Sequence, residues 1–240
     1  MIGVIIQARM GSKRLPGKVM MNIRDKPILF YVINQVKQSK LSETIIVATT
    51  DLPEDEVISQ YAKSSDVNVF CGNSEDVLNR FNECAKKFNL DIIVRISSDS
   101  PLIDYTIIDS CIEKFQKNNL DYLSNTIKKI NNVWTETYNG FPIGLAVEVF
   151  TISALEEASK NSNLTSDREH VTEYFWKNPS NFKIGNFENN ADLSNYRLVV
   201  DYQTDFEKIK LIIEYFPSDA IFTLKKLEPE LYKIYKDFDN

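Results

Sequence analysis

The chain contains a single histidine, His170, and three cysteines, Cys71, Cys84 and Cys111, none in CxxC spacing. That leaves no ligand set for a zinc centre and no disulfide framework. Glycine is sparse, at seven residues, and no GxGxxG dinucleotide fingerprint is formed. No apolar run approaches the length of a membrane span. The opening Met1-Ile2-Gly3-Val4-Ile5-Ile6 is short, lacks a basic leader and runs into a polar loop, so the chain reads as cytoplasmic with no membrane partner. Positive charge is in deficit as well, with 28 Lys and Arg against 34 Asp and Glu and a formal net charge of −6. A broad nucleic-acid surface needs clustered cations, so nucleic acid is not the expected partner and any anion site is local.

What remains is a chain of 240 residues, 43% hydrophobic, sufficient for one sizeable core. Short apolar runs (Val4-Ile5-Ile6, Ile45-Ile46-Val47, Val67 to Phe70, Ile92-Ile93-Val94) alternate with helical stripes. The stripes are Ile28 to Val36 opening near Pro27, Val57 to Tyr61 opening near Pro53, Val77 to Phe88, and Ile107 to Phe115. This β-α-β-α order predicts an α/β fold with a mostly parallel, Rossmann-like central sheet flanked by helices, whose ligands sit beyond the carboxyl ends of the strands. One domain is expected over 1–240: a nucleotide-binding half at 1–120, an acceptor or dimer subregion at 121–200, and a helical segment at 201–240. In the second half the pattern predicts a strand at Gly144 to Phe150, helices at Ile152 to Ser159 and Arg168 to Trp176, strands at Phe182 to Asn186 and Arg197 to Val200, and a helix with a Thr204–Glu207 capping box.

After the first strand comes Gln7-Ala8-Arg9-Met10-Gly11-Ser12-Lys13-Arg14-Leu15-Pro16-Gly17-Lys18. Five cations, Arg9, Lys13, Arg14, Lys18 and Arg24, precede the first acid, Asp25. Glycines let backbone N–H groups converge on phosphate oxygens, and cations offset the charge of a polyphosphate and of a leaving pyrophosphate. A Walker A loop does not fit, because five residues instead of four separate Gly11 from Gly17 and Val19 stands where a Ser or Thr is required. The alternative is a solvated basic turn.

A polyphosphate is commonly held with a divalent ion, and carboxylates suit magnesium. Asp99 ends the fourth strand ahead of Pro101, and Asp201 ends Leu198-Val199-Val200; both emerge at strand ends. Asp99 could instead cap a helix, and Asp205 falls in a first helical turn where any acid favours the dipole.

The loop resembles the signature of the cytidylyltransferases that include the spore coat polysaccharide protein F family, CMP-KDO synthetases and CMP-acylneuraminate synthetases. Further similar segments are Val47-Ala48-Thr49-Thr50-Asp51, Gly72 with Asp76-Val77-Leu78-Asn79-Arg80, Asp99-Ser100-Pro101-Leu102-Ile103-Asp104, Arg168-Glu169-His170-Val171-Thr172, and Val200-Asp201 ahead of Asp205. The resemblance implies a CTP-dependent nucleotidyltransferase with Mg2+ as cofactor, a small-molecule acceptor and a homodimeric state. It assigns Gln7, Ala8, Arg9, Gly11, Ser12, Lys13, Arg14, Lys18, Asp76, Arg80 and Ser98 to the nucleotide, Asp99 and Asp201 to the metal, and catalysis to Arg9, Lys18, Asp99 and Asp201. Tyr138, Phe141, Gly144, Glu148, Arg168 and His170 are implied for the acceptor, with Ala146 where the family often has Asp and Ser98 where it often has Gly. His170 suits a catalytic base by its ordinary pKa, or equally a salt bridge or dimer face. Glu148 within an apolar strand needs an outward face or a partner. The rival functions are a glycosyltransferase of the same architecture and a non-catalytic nucleotide-binding protein.

Overall fold

Val4, Ile5 and Ile6 are wholly buried because their strand has parallel neighbours on both sides and helices on both faces. In the computed structural model, which describes residues 1–238, this is β1 (Ile2–Gln7). There follow a small ribbon of β2 (Asn22–Ile23) and β3 (Lys26–Pro27), then α1 (Ile28–Val36), β4 (Thr44–Thr50), α2 (Glu56–Ser64), β5 (Asn68–Gly72), α3 (Val77–Lys87), β6 (Ile92–Ser97) and α4 (Tyr105–Lys117). Pro27 caps α1 in extended conformation, and Pro53 opens a short 3-10 turn ahead of α2. Asp76 and Asp104 cap α3 and α4, accepting from the backbone N–H of Asn79 and Thr106.

The second half adds β7 (Tyr122–Ser124), the hairpin β8 (Ile127–Ile130) and β9 (Val133–Glu136), β10 (Glu148–Thr151), α5 (Ile152–Asn161), α6 (Thr165–His170), α7 (Glu173–Lys177), β11 (Ile184–Asn186), α8 (Gln203–Tyr215) and α9 (Leu224–Phe238). The described residues form a seven-stranded sheet in the order β11-β7-β10-β6-β1-β4-β5, in which only β10 runs against its neighbours. The mixed α/β architecture with a mostly parallel sheet is as the sequence predicts. Apolar clusters fill both faces, one beneath α1, α4 and α8, the other beneath α3, α5 and α7.

Several boundaries differ from the sequence reading. The strand expected from Gly144 starts only at Glu148, because Gly144 (φ 103°) passes so close to Leu198 that a Cβ would lie 2.5 Å from its carbonyl carbon. The excursion between β7 and β10 is pinned at its base by Asn125, whose Nδ2 donates to the Leu145 carbonyl and whose Oδ1 accepts from Val147 N–H, both at 2.8 Å. Arg197 to Val200 forms a single bridge with Ile143 rather than a strand, though Leu198 and Val200 are fully buried. The strand expected from Phe182 begins at Ile184. The cap of α8 is not Thr204 with Glu207: the helix starts at Gln203, so Asp205 occupies the third position and accepts from Tyr202 N–H at 3.0 Å. The last two residues of the expected 201–240 segment lie outside the described residues.

The helix expected over Arg168 to Trp176 is two helices broken at Val171 (φ 65°, ψ −53°). Thr172 N–H donates to the His170 carbonyl at 2.7 Å, so Val171 is the centre of a γ-turn of the rare positive-φ kind. A β-branched residue there costs about 1–3 kcal/mol and persists only where its surroundings hold it. Val171 is fully buried in the cluster that contains Phe175.

Candidate active site

At the carboxyl edge of β1 the chain leaves the sheet as a loop folded on itself: Ser12 and Gly17 N–H both donate to the Met10 carbonyl, and Met10 N–H donates to Asp55. Gly17 adopts φ 71°, which turns the chain into a 3-10 segment beginning at Lys18. This turn carries Lys18 inward, where only 7% of the residue is exposed.

A cavity of about 590 Å³ opens above this edge. Gln7, Ala8, Arg9, Ser12, Lys13, Arg14 and Lys18 line one side, and Ser98, Asp99 and Asp201 face them. Lys18 Nζ joins the two, at 2.7 Å from Asp99 Oδ2 and 3.0 Å from Asp201 Oδ1. Asp201 also meets Arg14 Nη2 at 2.7 Å and Arg197 Nη2 at 2.6 Å. Burial alone would raise the Asp201 carboxyl, but the hydrogen bond and charge of Lys18, with Arg14 and Arg197, outweigh it and hold the group below its ordinary value. Arg9 and Lys13 have no acidic partner among the described residues, so this wall carries uncompensated positive charge.

Arg80 adds to it from α3. The residue is 2% exposed, its Nη1 donates to the Asn73 carbonyl at 2.6 Å, and its Nε meets no acceptor among the described residues. Burial, then the nearby Arg9 charge, lower its pKa. Gly72 makes room for it, since a Cβ there would lie 3.1 Å from Arg80 Cγ.

Two of the proposed nucleotide residues lie apart from the cavity lining. Gly11 is exposed on the loop, and Asp76 caps α3 while pairing with Arg168, Nη1 to Oδ2 at 3.0 Å. Of the proposed acceptor residues, His170 alone lines the cavity, its Nε2 4.0 Å from Glu173. Tyr138 lines a separate cavity of about 370 Å³ beside Asp192. Phe141 is buried, its ring stacked 5.8 Å from that of Phe187, and Gly144 packs on Leu198. Glu148 is buried behind the cavity wall with partners on both oxygens. Asp205 accepts from Arg197 Nε and from the N–H groups of Asp201 and Tyr202, which orients the loop before α8 rather than facing the cavity.

The sequence reading missed Arg95, Ser97, Glu136 and Glu169, all of which line the cavity. A signal for Arg95 was present: a charge between Val94 and Ile96 in a buried strand, on the same face as Ser97.

Asp99 and Asp201, which converge on the Lys18 ammonium, are the carboxylates that could hold a divalent ion such as magnesium, which takes one or two protein carboxylates and fills its shell with water and phosphate oxygens. A cation-lined cavity at the carboxyl edge of a doubly wound sheet is a setting for phosphate groups, and the family match makes the molecule a nucleotidyltransferase. More particularly, the chain belongs to the cytidylyltransferase family, whose model matches residues 3–227. It is 42% identical to the uncharacterized protein MJ1063 of Methanocaldococcus jannaschii over 205 residues, 85% of this chain and 79% of that protein. It is 30% identical to the spore coat polysaccharide biosynthesis protein SpsF of Bacillus subtilis, over 88% of this chain and 85% of that one. A solved cytidylyltransferase from Leptospira borgpetersenii superposes with a TM-score of 0.87 at 35% identity, covering 97% of this chain and 94% of the other.

Proposed function

We propose that the protein transfers CMP from CTP to a small acidic or sugar-derived acceptor, with release of pyrophosphate, in the building of a surface polysaccharide or related glycan. The observation that carries this reading is the single ammonium of Lys18 between Asp99 and Asp201, facing a wall of unpaired cations across one cavity. The family and the SpsF likeness support the nucleotide and the sugar-related setting.

In this reading Arg9, Lys13 and Arg80 bind the triphosphate and meet the charge that gathers on the departing pyrophosphate. An acceptor oxygen forms a bond to the α-phosphorus as the bond from that phosphorus to the bridging oxygen of the β-phosphate breaks. Asp99 and Asp201 would hold magnesium, which supplies charge neutralisation at the phosphate oxygens when bound. Lys18 fixes both carboxylates before ligand arrives, so little reorganisation accompanies binding. In this reading His170, at the cavity wall, takes the acceptor's proton. The reading includes a homodimer, for which the exposed Ile130 and Val133 of the β8–β9 hairpin offer apolar surface.

The test is a pyrophosphate-release screen of the four ribonucleoside triphosphates against sugar acids and sugar phosphates, with and without Mg2+. Release from CTP with one of these acceptors, dependent on the ion, is expected; activity with a nucleotide sugar in place of CTP would overturn the reading.

A further inference from the structure

Behind the cavity a line of polar side chains crosses four adjacent strands on one face of the sheet. Gln7 on β1 accepts at Oε1 from Arg95 Nε on β6 at 3.0 Å, diagonally to its own register partner Ser97. Arg95 Nη1 donates to Glu148 Oε2 on β10, the residue directly opposite it in the antiparallel register. The other oxygen of Glu148 accepts from Tyr122 Oη on β7 at 2.7 Å and from Thr172 Oγ1. Burial, then the neighbouring Glu148 charge, hold the Tyr122 phenol well above its ordinary pKa, so it stays a donor. Thr172 is delivered by the strained turn at Val171, the same turn that leaves His170 on the cavity wall.

A carboxylate only 8% exposed, with three donors on it, is an expensive way to join strands, because apolar side chains of similar volume often do so equally well. It does fix a guanidinium. Nε and Nη1 are committed to Gln7 and Glu148, while Nη2 meets no acceptor among the described residues, and Arg95 lines the cavity beside Ser97. A planar fork with two of its nitrogens locked presents the third in one orientation, which suits an oxyanion.

We propose that Arg95 anchors an oxyanion of the acceptor, a carboxylate or a phosphoryl group, and that Glu148 is its positioning residue, held in turn by Tyr122 and Thr172. This rests on the nucleotidyl-transfer reading for what else enters the cavity. It also gives Glu148 a place in acceptor recognition that direct contact does not.

The experiment loads the protein with α,β-methylene-CTP and titrates it by calorimetry with D-gluconate and, separately, with glucose 1-phosphate; the same titrations are run on the free protein. Failure of the nucleotide analogue to bind counts against nucleotidyl transfer alone, because the titrations on free protein still decide the role of Arg95. At least one anion is expected to bind, and which one does separates a sugar acid from a sugar phosphate. Arg95→Gln and Glu148→Gln are expected to weaken that anion at least tenfold and more than they weaken the nucleotide analogue, and Arg95→Lys to recover part of the loss. Melting curves identify a Glu148→Gln that fails to fold, in which case Thr172→Val, which removes one donor from the same carboxylate, must weaken the anion in the same direction. Neither anion binding to the wild type, or undiminished binding to Arg95→Gln, overturns the assignment.

Discussion

Lys18 Nζ lies 2.7 Å from Asp99 Oδ2, although the two residues are 81 positions apart. The contact ties the loop after β1 to the end of β6. Asp99→Asn leaves Lys18 with Asp201 and the Val200 carbonyl, so the fold should persist. Pyrophosphate release from CTP should fall by roughly 10²-fold or more, the scale on which removal of one preorganised charge-stabilising group acts. The check is a rate assay beside a melting curve, and a near-normal rate would remove Asp99 from the reaction.

Arg80 predicts effects of opposite sign on binding and stability. An unpaired buried charge is unfavourable until a ligand meets it. Arg80→Met should therefore melt no lower than the wild type, while the KM for CTP rises about tenfold, as loss of a charged hydrogen bond implies. Melting and initial rates on one preparation test both halves, and a large fall in melting temperature would mark Arg80 as structural.

The depressed Asp201 carboxyl makes stability depend on acid. With its folded pKa below the ordinary 3.8, the group contributes stability that is present above that value and is lost as pH falls through the folded pKa. Denaturant midpoints of wild type and Asp201→Asn should thus differ at pH 6 and converge toward pH 2. A gap independent of pH would show that the Lys18, Arg14 and Arg197 contacts do not set this group's titration.

Gly144→Ala should destabilise by about 2 kcal/mol or more, because the new Cβ meets the Leu198 backbone at a φ that alanine rarely adopts. Leu198 leads through Val200 to Asp201, so activity should fall as well. A variant that melts like the wild type would show that Leu198 can move aside.

The alternating half of the fold was legible because each strand is a short β-branched run and each helix a stripe, so period alone separates them. The loop cations and Asp99 were legible because topology brings the carboxyl ends of parallel strands together; Asp201 meets Lys18 there too, although the segment before it makes a single bridge and not the expected strand. The acceptor side was less so. Tyr138 and Phe141 carry aromatic bulk that serves equally in a groove or a core, and only the packing on Phe187 decides for Phe141. The break at Val171 has no Gly or Pro to announce it, since tertiary burial holds a residue whose own preference opposes the turn. Arg95 was passed over because a lone charge in a strand reads as solvated until its register partner, Glu148, is known.

Asn125 closes the excursion between β7 and β10 like a clip at its neck, and all the parallel pairings of β1 with β4 and β6, and of β4 with β5, are made by chain that precedes it. Within that excursion Ile143 and Gly144 pack on the segment that leads to Asp201, so it is the β8–β9 hairpin, residues 127–136, that can be exchanged for a relative's without disturbing the frame that would hold the nucleotide. Such a chimera is expected to keep its affinity for α,β-methylene-CTP and to acquire the donor's choice of acceptor; forfeited nucleotide binding would show the two halves to be one inseparable unit.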